Sequence, residues 1–158
     1  MEDFVEILKA TFEDLSEILE LQKLAYLSEA QLLNDFSIKP ITQTLEEFQT
    51  EFIKYDKGII LKLINENNEI IGSVRAHEEN NRILIGRLIV HPDYQKMGIG
   101  KGLMGRILKY LKEIAIDENK ILVNLITDDS KIGFYEKLGF KKNVGMRIKI
   151  GKNSPNST

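Results

Sequence analysis

The chain has 158 residues, with 22 Lys plus Arg against 24 Asp plus Glu, two His, no Cys, no Trp, and 42% of residues apolar. That length suits one domain with a core of its own, and the missing cysteines exclude disulfide frameworks, thiolate-bound zinc, iron–sulfur clusters and any thiol nucleophile. A net charge of −2 argues against a general nucleic-acid binder, and no apolar run approaches the roughly 20 residues that span a bilayer.

In chain order, Glu2, Asp3 and Glu6 stand where a secretory signal needs basic and then apolar residues, so the expectation is a soluble, cytoplasmic protein. Val5 to Ala10 reads as a strand. Thr11 and Asp14 form a T-x-x-D start for a helix carrying Phe12, Leu15, Ile18 and Leu19, expected to run to about Tyr26 or Leu27. A less regular stretch leads through Pro40 to Thr44, which with Glu47 caps a second helix ending near Tyr55. The runs 58–64, 70–77 and 83–90 are rich in Ile, Leu and Val and are separated by turn-forming residues, which predicts a three-strand antiparallel meander. Leu103, Met104, Ile107, Leu108, Leu111, Ile114 and Ala115 recur at helical spacing opposite Lys101, Arg106, Lys109 and Lys112, predicting a long amphipathic helix on the sheet. A strand at 121–126, a short helix at 130–138, and a final strand at 146–150 complete the order βααβββαβαβ, with an extra short strand at 140–142 as an option. Residues 1–151 read as a single domain and 152–158 as a flexible tail.

Charge is distributed unevenly. Residues 1–50 hold 3 basic and 11 acidic residues (−8), residues 51–100 hold 7 and 7, and residues 101–158 hold 12 and 6 (+6). Between the strand ending at Val90 and the long helix lies a glycine-spaced loop with Gly98, Gly100 and Gly102. Glycines let a ligand approach the backbone, and the free N–H groups and dipole of a helix N-terminus favour an anion, to which Lys96 and Lys101 add charge. A Walker loop would need G-x-x-x-x-G-K-[ST], which is not met. Gly100, Gly102 and Gly105 satisfy G-x-G-x-x-G, but nine residues including Pro92 separate Val90 from Gly100, which does not suit a dinucleotide turn.

The third pattern, Q-x-x-G-x-G at Gln95, Gly98 and Gly100, stands with Val90-x-Pro92 upstream and Phe134-Tyr-Glu-Lys-Leu-Gly-Phe140 downstream. In these motifs the chain resembles the GNAT superfamily of acetyl-CoA-dependent N-acetyltransferases, over essentially its whole length. The resemblance implies an α/β (α+β) fold whose mixed, mostly antiparallel sheet splays between its fourth and fifth strands, with acetyl-CoA in the opening and no metal. It implies that backbone of Leu88, Ile89 and Val90 pairs with the pantetheine arm. Amides across Gln95, Lys96, Met97, Gly98, Ile99, Gly100, Lys101 and Gly102 would cradle the pyrophosphate. Tyr135 falls on the family's Tyr, a general acid for the departing thiolate; Tyr titrates near 10, so its O–H is available at neutral pH.

Two positions depart from the family pattern. Asp128 replaces a common Asn and accepts but does not donate when ionised, and Lys131, which replaces a small residue, is a candidate to reach a phosphate or else part of a solvated helix face. The strand Glu that serves as base in some members corresponds here to Leu84, leaving Glu78, Glu79, His77 and Glu29 as candidate bases or acceptor-side groups. Arg75 and Arg87 are candidates for an acceptor carboxylate, or else paired surface charges. His91 reads as scaffold. The implied activity is acetyl transfer to a primary amine, on a small molecule or a peptide, by direct attack in a ternary complex. The −8 of residues 1–50 favours a cationic acceptor if those carboxylates face the cleft. The alternative is a non-catalytic acyl-CoA-binding regulatory module; by analogy with the family, a homodimer is an option.

Overall fold

The computed structural model describes residues 4–55, 57–118, 122–127, 129–143, 146 and 148. They fall into two units, one through Ile126 and one from Thr127 onward.

The first unit is built on a five-stranded sheet in the order β1-β2-β3-β4-β5. Strands β1 (Phe4–Lys9), β2 (Ile59–Asn65), β3 (Ile70–Glu79) and β4 (Arg82–Val90) pair antiparallel in succession, and β5 (Val123–Leu125) runs parallel to β4. Between β1 and β2 come a 3-10 turn at Phe12–Asp14 and helices α1 (Leu15–Leu33), α2 (Lys39–Thr42) and α3 (Leu45–Lys54); α4 (Ile99–Glu118) carries the chain from β4 to β5.

Both expected caps are formed. Thr11 N–H donates to Asp14 Oδ2 at 2.8 Å, and Thr44 and Glu47 exchange backbone-to-side-chain bonds at 3.0 and 3.1 Å. The turn between β3 and β4 is two residues long with Asn80 and Asn81 both at positive φ (53° and 63°), the geometry that matches strand twist in a tight hairpin. Helix α1 runs six residues beyond the expected end at Leu27, because its apolar stripe fades while no breaker intervenes; it stops where Asn34 turns left-handed at φ 49°. The stretch before Thr44, expected to be irregular, contains the single turn α2 around Pro40.

The sheet's two faces are covered differently. Leu15, Ile18, Leu19 and Leu21 of α1 and Phe48 of α3 form one core with Ile64, Ile70 and Ile89. On α4 the residues Ile99, Leu103, Met104, Ile107 and Leu111 are all buried, at the three-and-four spacing the sequence displays. Each such side chain contributes about 1.5–3 kcal/mol relative to exposure. Gly72 on β3 is what lets α4 sit so close, since a Cβ there would lie 2.9 Å from both Ile99 Cγ2 and Leu103 Cδ1.

Two irregularities in β4 shape the site. Its pairing with β5 covers only Ile83, Ile85 and the residue between, so Gly86–Val90 has no partner on that side among the described residues. This is the expected opening between the fourth and fifth strands. On the β3 side, Arg75 pairs with Gly86 and Ser73 with Ile89, which gives β4 one extra residue; Arg87 takes it up at φ 52°. A bulge that places a non-glycine residue in the left-handed region is strained by about 1 kcal/mol or more and is held by its surroundings.

In the second unit, a 3-10 turn at Asp129–Lys131 leads into α5 (Ile132–Lys137), which closes at Gly139 (φ 99°) with Phe140 N–H donating to the Tyr135 carbonyl at 3.1 Å. Residues 140–142 are in no strand among the described residues, and Lys141 and Lys142 are exposed. Of the expected strand at 146–150, Met146 and Ile148 are in no strand, and the other positions lie outside the described residues.

Candidate active site

The cradle at the start of α4 is made by backbone. After the 3-10 turn at Pro92–Tyr94, Lys96 (φ 64°) and Gly98 (φ 84°) take positive φ on either side of Met97, a pattern that turns successive N–H groups toward a common point. Gly98 is the one position there that requires glycine, its carbonyl accepting the Gly102 N–H at 3.0 Å to begin the helix. The N–H groups of Ile99, Gly100 and Lys101 belong to the first turn and so have no acceptor within the helix. No acidic residue stands in that turn, while the exposed Lys96 and Lys101 flank it. Gln95 is likewise exposed, and Ile99 is buried as the anchor of the turn. Leu88, Ile89 and Val90 lie on the part of β4 whose second edge has no strand partner among the described residues. His91 is scaffold: its N–H donates to the Ile71 carbonyl, its Nδ1 accepts from Asp93 N–H, and its ring meets Tyr94 edge-on.

A cleft of about 710 Å³ opens on the opposite face, between α3 and the strand ends at the opening. Phe12, Tyr26, Phe48, Phe52 and Tyr55 make an aromatic wall, with Phe12 and Phe52 edge-to-face at 6.1 Å. From β3, Arg75, Ala76, His77 and Glu79 line its floor, whereas Glu78 lines a shallow depression with Lys54 and Lys57. From β4 come Leu84, Ile85, Gly86 and the bulged Arg87. Leu84, the position where some members of the resembled family carry a Glu, does face the cleft.

The polar groups of the cleft divide into two clusters. At one end His77 Nε2 lies 3.2 Å from Glu79 Oε2, and the imidazole stacks on Tyr55 with centroids 4.0 Å apart. At the other, the Arg75 guanidinium sits 4.3 Å over the Phe48 ring, and its Nη2 donates to Gln22 Oε1 at 3.1 Å and to Gln43 Oε1 at 3.5 Å. Gln22 and Gln43 are wholly buried, bonded to each other at 3.0 Å, and Gln22 also donates to the Pro40 carbonyl. Burial first, then the charge of Arg87, lower the Arg75 guanidinium to about 10, against smaller opposing effects of Glu51 and Tyr26.

Sequence reasoning found Arg75, Arg87, His77 and Glu79. It missed Gln22, Gln43 and the aromatic wall, none of which belongs to a local motif. Glu29 is exposed on α1 and does not line the cleft. Nor does any of the nine described acidic residues among the first 50, so the described part of the acidic third contributes no carboxylate to this cleft. In the second unit, Tyr135 is half-buried, edge-to-face with Phe134 (5.0 Å) and Phe140 (5.9 Å). Lys131 is exposed there, and Asp128 lies outside the described residues. Among the described residues no cluster of side chains could hold a metal ion, and no helix is long and apolar enough to cross a membrane.

A splayed mixed sheet with a backbone anion cradle on one side and a cleft on the other defines a class that binds a phosphorylated cosubstrate beside a second ligand. The chain belongs to the acetyltransferase (GNAT) family, whose model matches residues 15–140. It is 34% identical over 89 residues to the uncharacterized N-acetyltransferase ycf52 of Porphyra purpurea; the match covers 54% of this chain, which spans about half (49%) of that relative's length. Among solved structures, the fold is shared with PaiA N-acetyltransferase from Thermoplasma acidophilum in complex with coenzyme A (TM-score 0.69, 23% identity, 86% of this chain and 89% of that one). It is shared too with glucosamine-6-phosphate N-acetyltransferase from Arabidopsis thaliana (TM-score 0.63, 19% identity, 92% and 97%). The cradle fits coenzyme A: free helix N–H groups, two lysines, no carboxylate in the first turn, and an unpaired stretch of β4 beside it.

Proposed function

We propose that the protein transfers the acetyl group of acetyl-CoA to an amine bound in the aromatic cleft, by direct attack without a covalent enzyme intermediate. The observation that carries this reading is the placement of the cradle and the cleft on either side of the stretch of β4 that has no β5-side partner among the described residues. Amides of Ile99, Gly100 and Lys101 and the two flanking lysines hold phosphate, and the edge of Leu88 to Val90 without a strand partner among the described residues takes the pantetheine arm. When bound, acetyl-CoA supplies an activated thioester; the chain's residues orient it, receive the acceptor and move protons. His77, partnered by Glu79, takes the proton from the acceptor nitrogen, imidazole being the side chain whose ordinary titration lies nearest neutrality. Tyr135, by its place in the Phe-Tyr-Glu-Lys-x-Gly-Phe motif, donates its Oη proton to the departing sulfur.

The test is a screen of primary amines with acetyl-CoA that follows release of free CoA thiol. Turnover on at least one amine, lowered about 10²–10⁴-fold in Tyr135→Phe and with its pH profile altered in His77→Asn, is the expected result. Acetyl-CoA binding with no turnover on any amine, together with a Tyr135→Phe variant identical to its parent, would instead favour a non-catalytic acyl-CoA-binding module.

A further inference from the structure

We propose that the acceptor carries an anionic group, a carboxylate or a phosphate monoester, which seats on Arg75 and Arg87 while its apolar body lies on the aromatic wall. This rests on the reading of the cleft as the acceptor site. The two guanidinium-bearing residues stand on adjacent strands and reach the same cleft only because the β4 bulge puts Arg87, rather than the next residue, on that side. Neither forms an ion pair among the described residues, where Lys39–Glu47 and Lys62–Asp14 pair a carboxylate with a lysine; Glu51, which lines the same cleft, acts on Arg75 through its charge without pairing with it. Arg75 Nη1 and Arg87 Nε are buried, and neither has a hydrogen-bond partner among the described residues.

Buried donors of a charged group are costly to leave unpaired, and two cations brought together raise that cost. A scaffold that needed only a stable arginine would set a carboxylate beside it. Here the partners are two buried glutamines, which fix the guanidinium through Nη2 without neutralising it and leave Nη1 free. That is the arrangement of a binding group held in place for a charge of opposite sign, and a planar guanidinium fork suits carboxylate and phosphate oxygens alike. Burial and the neighbouring Arg87 lower the Arg75 titration more than the charges of Glu51 and Tyr26 raise it, so the guanidinium is only partly compensated. Two residues along β3, roughly 7 Å away, stands His77, so anion and reacting amine fit within one small molecule.

The test uses probes that need no turnover. 3-Phenylpropionate and phenyl phosphate, with uncharged 3-phenylpropanamide as the reference, are titrated calorimetrically into the acetyl-CoA-saturated protein. At least one anion is expected to bind about 10-fold or more tightly than the amide, the stronger arm distinguishing carboxylate from phosphate. That advantage should fall about 10- to 100-fold in Arg87→Gln and in Arg75→Gln, with Arg87→Lys intermediate because it keeps the charge and loses the fork. Anions binding no better than the amide to the parent protein would overturn the proposal even if a variant failed to fold, as would an advantage that survives in both glutamine variants. Anion binding without acetylation of any amine would remove the acetyltransferase reading and leave the site; acetylation with no preference for anions would do the reverse.

Discussion

Gly72 is where the fold and the cradle are joined, and Gly72→Ala is the substitution that separates them. The new Cβ would stand 2.9 Å from Ile99 Cγ2 and from Leu103 Cδ1, and 3.4 Å from the Ile89 carbonyl oxygen. Carbon atoms rest at about 3.5–4.0 Å, so the first turn of α4 must retreat by roughly 0.6 Å or more. Ile99 and Leu103 are 1% and 0% exposed, which leaves their side chains nowhere to swing. Overpacking of this kind costs about 1–3 kcal/mol, or a melting temperature roughly 2–12 °C lower for a domain of this size. Because the N–H groups of Ile99, Gly100 and Lys101 ride on the same turn, acetyl-CoA affinity should fall as well. The control is Gly105→Ala on the same helix, where a Cβ meets nothing within 4 Å and the gain in helix propensity is about 0.5–1 kcal/mol. Melting curves with and without acetyl-CoA read both effects. A Gly72→Ala protein that melts at or above its parent, or a Gly105→Ala protein that loses stability, would refute the packing argument.

Two further outcomes follow from the charges. Hydrogen bonds from the Lys39 side chain and then from the Thr44 N–H hold the Glu47 carboxyl at about 2, below its ordinary 4.5. A lowered folded-state value stabilises above about 4.5 and is lost as pH falls toward about 2, so the parent should lose melting temperature more steeply than Glu47→Gln across that window; equal slopes would contradict the cap's role. Exposed Lys96 and Lys101 make acetyl-CoA binding weaken as salt shortens the screening length from about 10 Å at 0.1 M, and Lys101→Ala should flatten that dependence; an unchanged salt slope would remove Lys101 from the cradle.

Much of this architecture could be read from local chemistry. Both capping boxes, the Asn-rich turns, the apolar meander and the stripe of α4 are short-range patterns, and each appears where its residues require it. The glycine loop opening into α4 was legible for the same reason, being a local signal. What escaped was set by contacts distant in sequence. Nothing in Arg87 announces a left-handed residue in mid-strand, because the bulge is fixed by its pairing with β3. Gln22 and Gln43 lie 21 positions apart and acquire meaning only when packing buries them against Arg75. The acidic N-terminal third misled by composition: its described carboxylates cap helices, pair with lysines or face water, while the charged lining of the cleft comes from β3, β4 and Glu51 of α3.

The most direct measurement is a calorimetric titration of acetyl-CoA into the parent protein and Gly100→Val. Saturable one-site binding by the parent, weakened about tenfold or more by the valine while the melting temperature stays within a few degrees, is the predicted result. Equal affinity in the two proteins, or no binding by the parent, would contradict the assignment of this loop as the cosubstrate cradle.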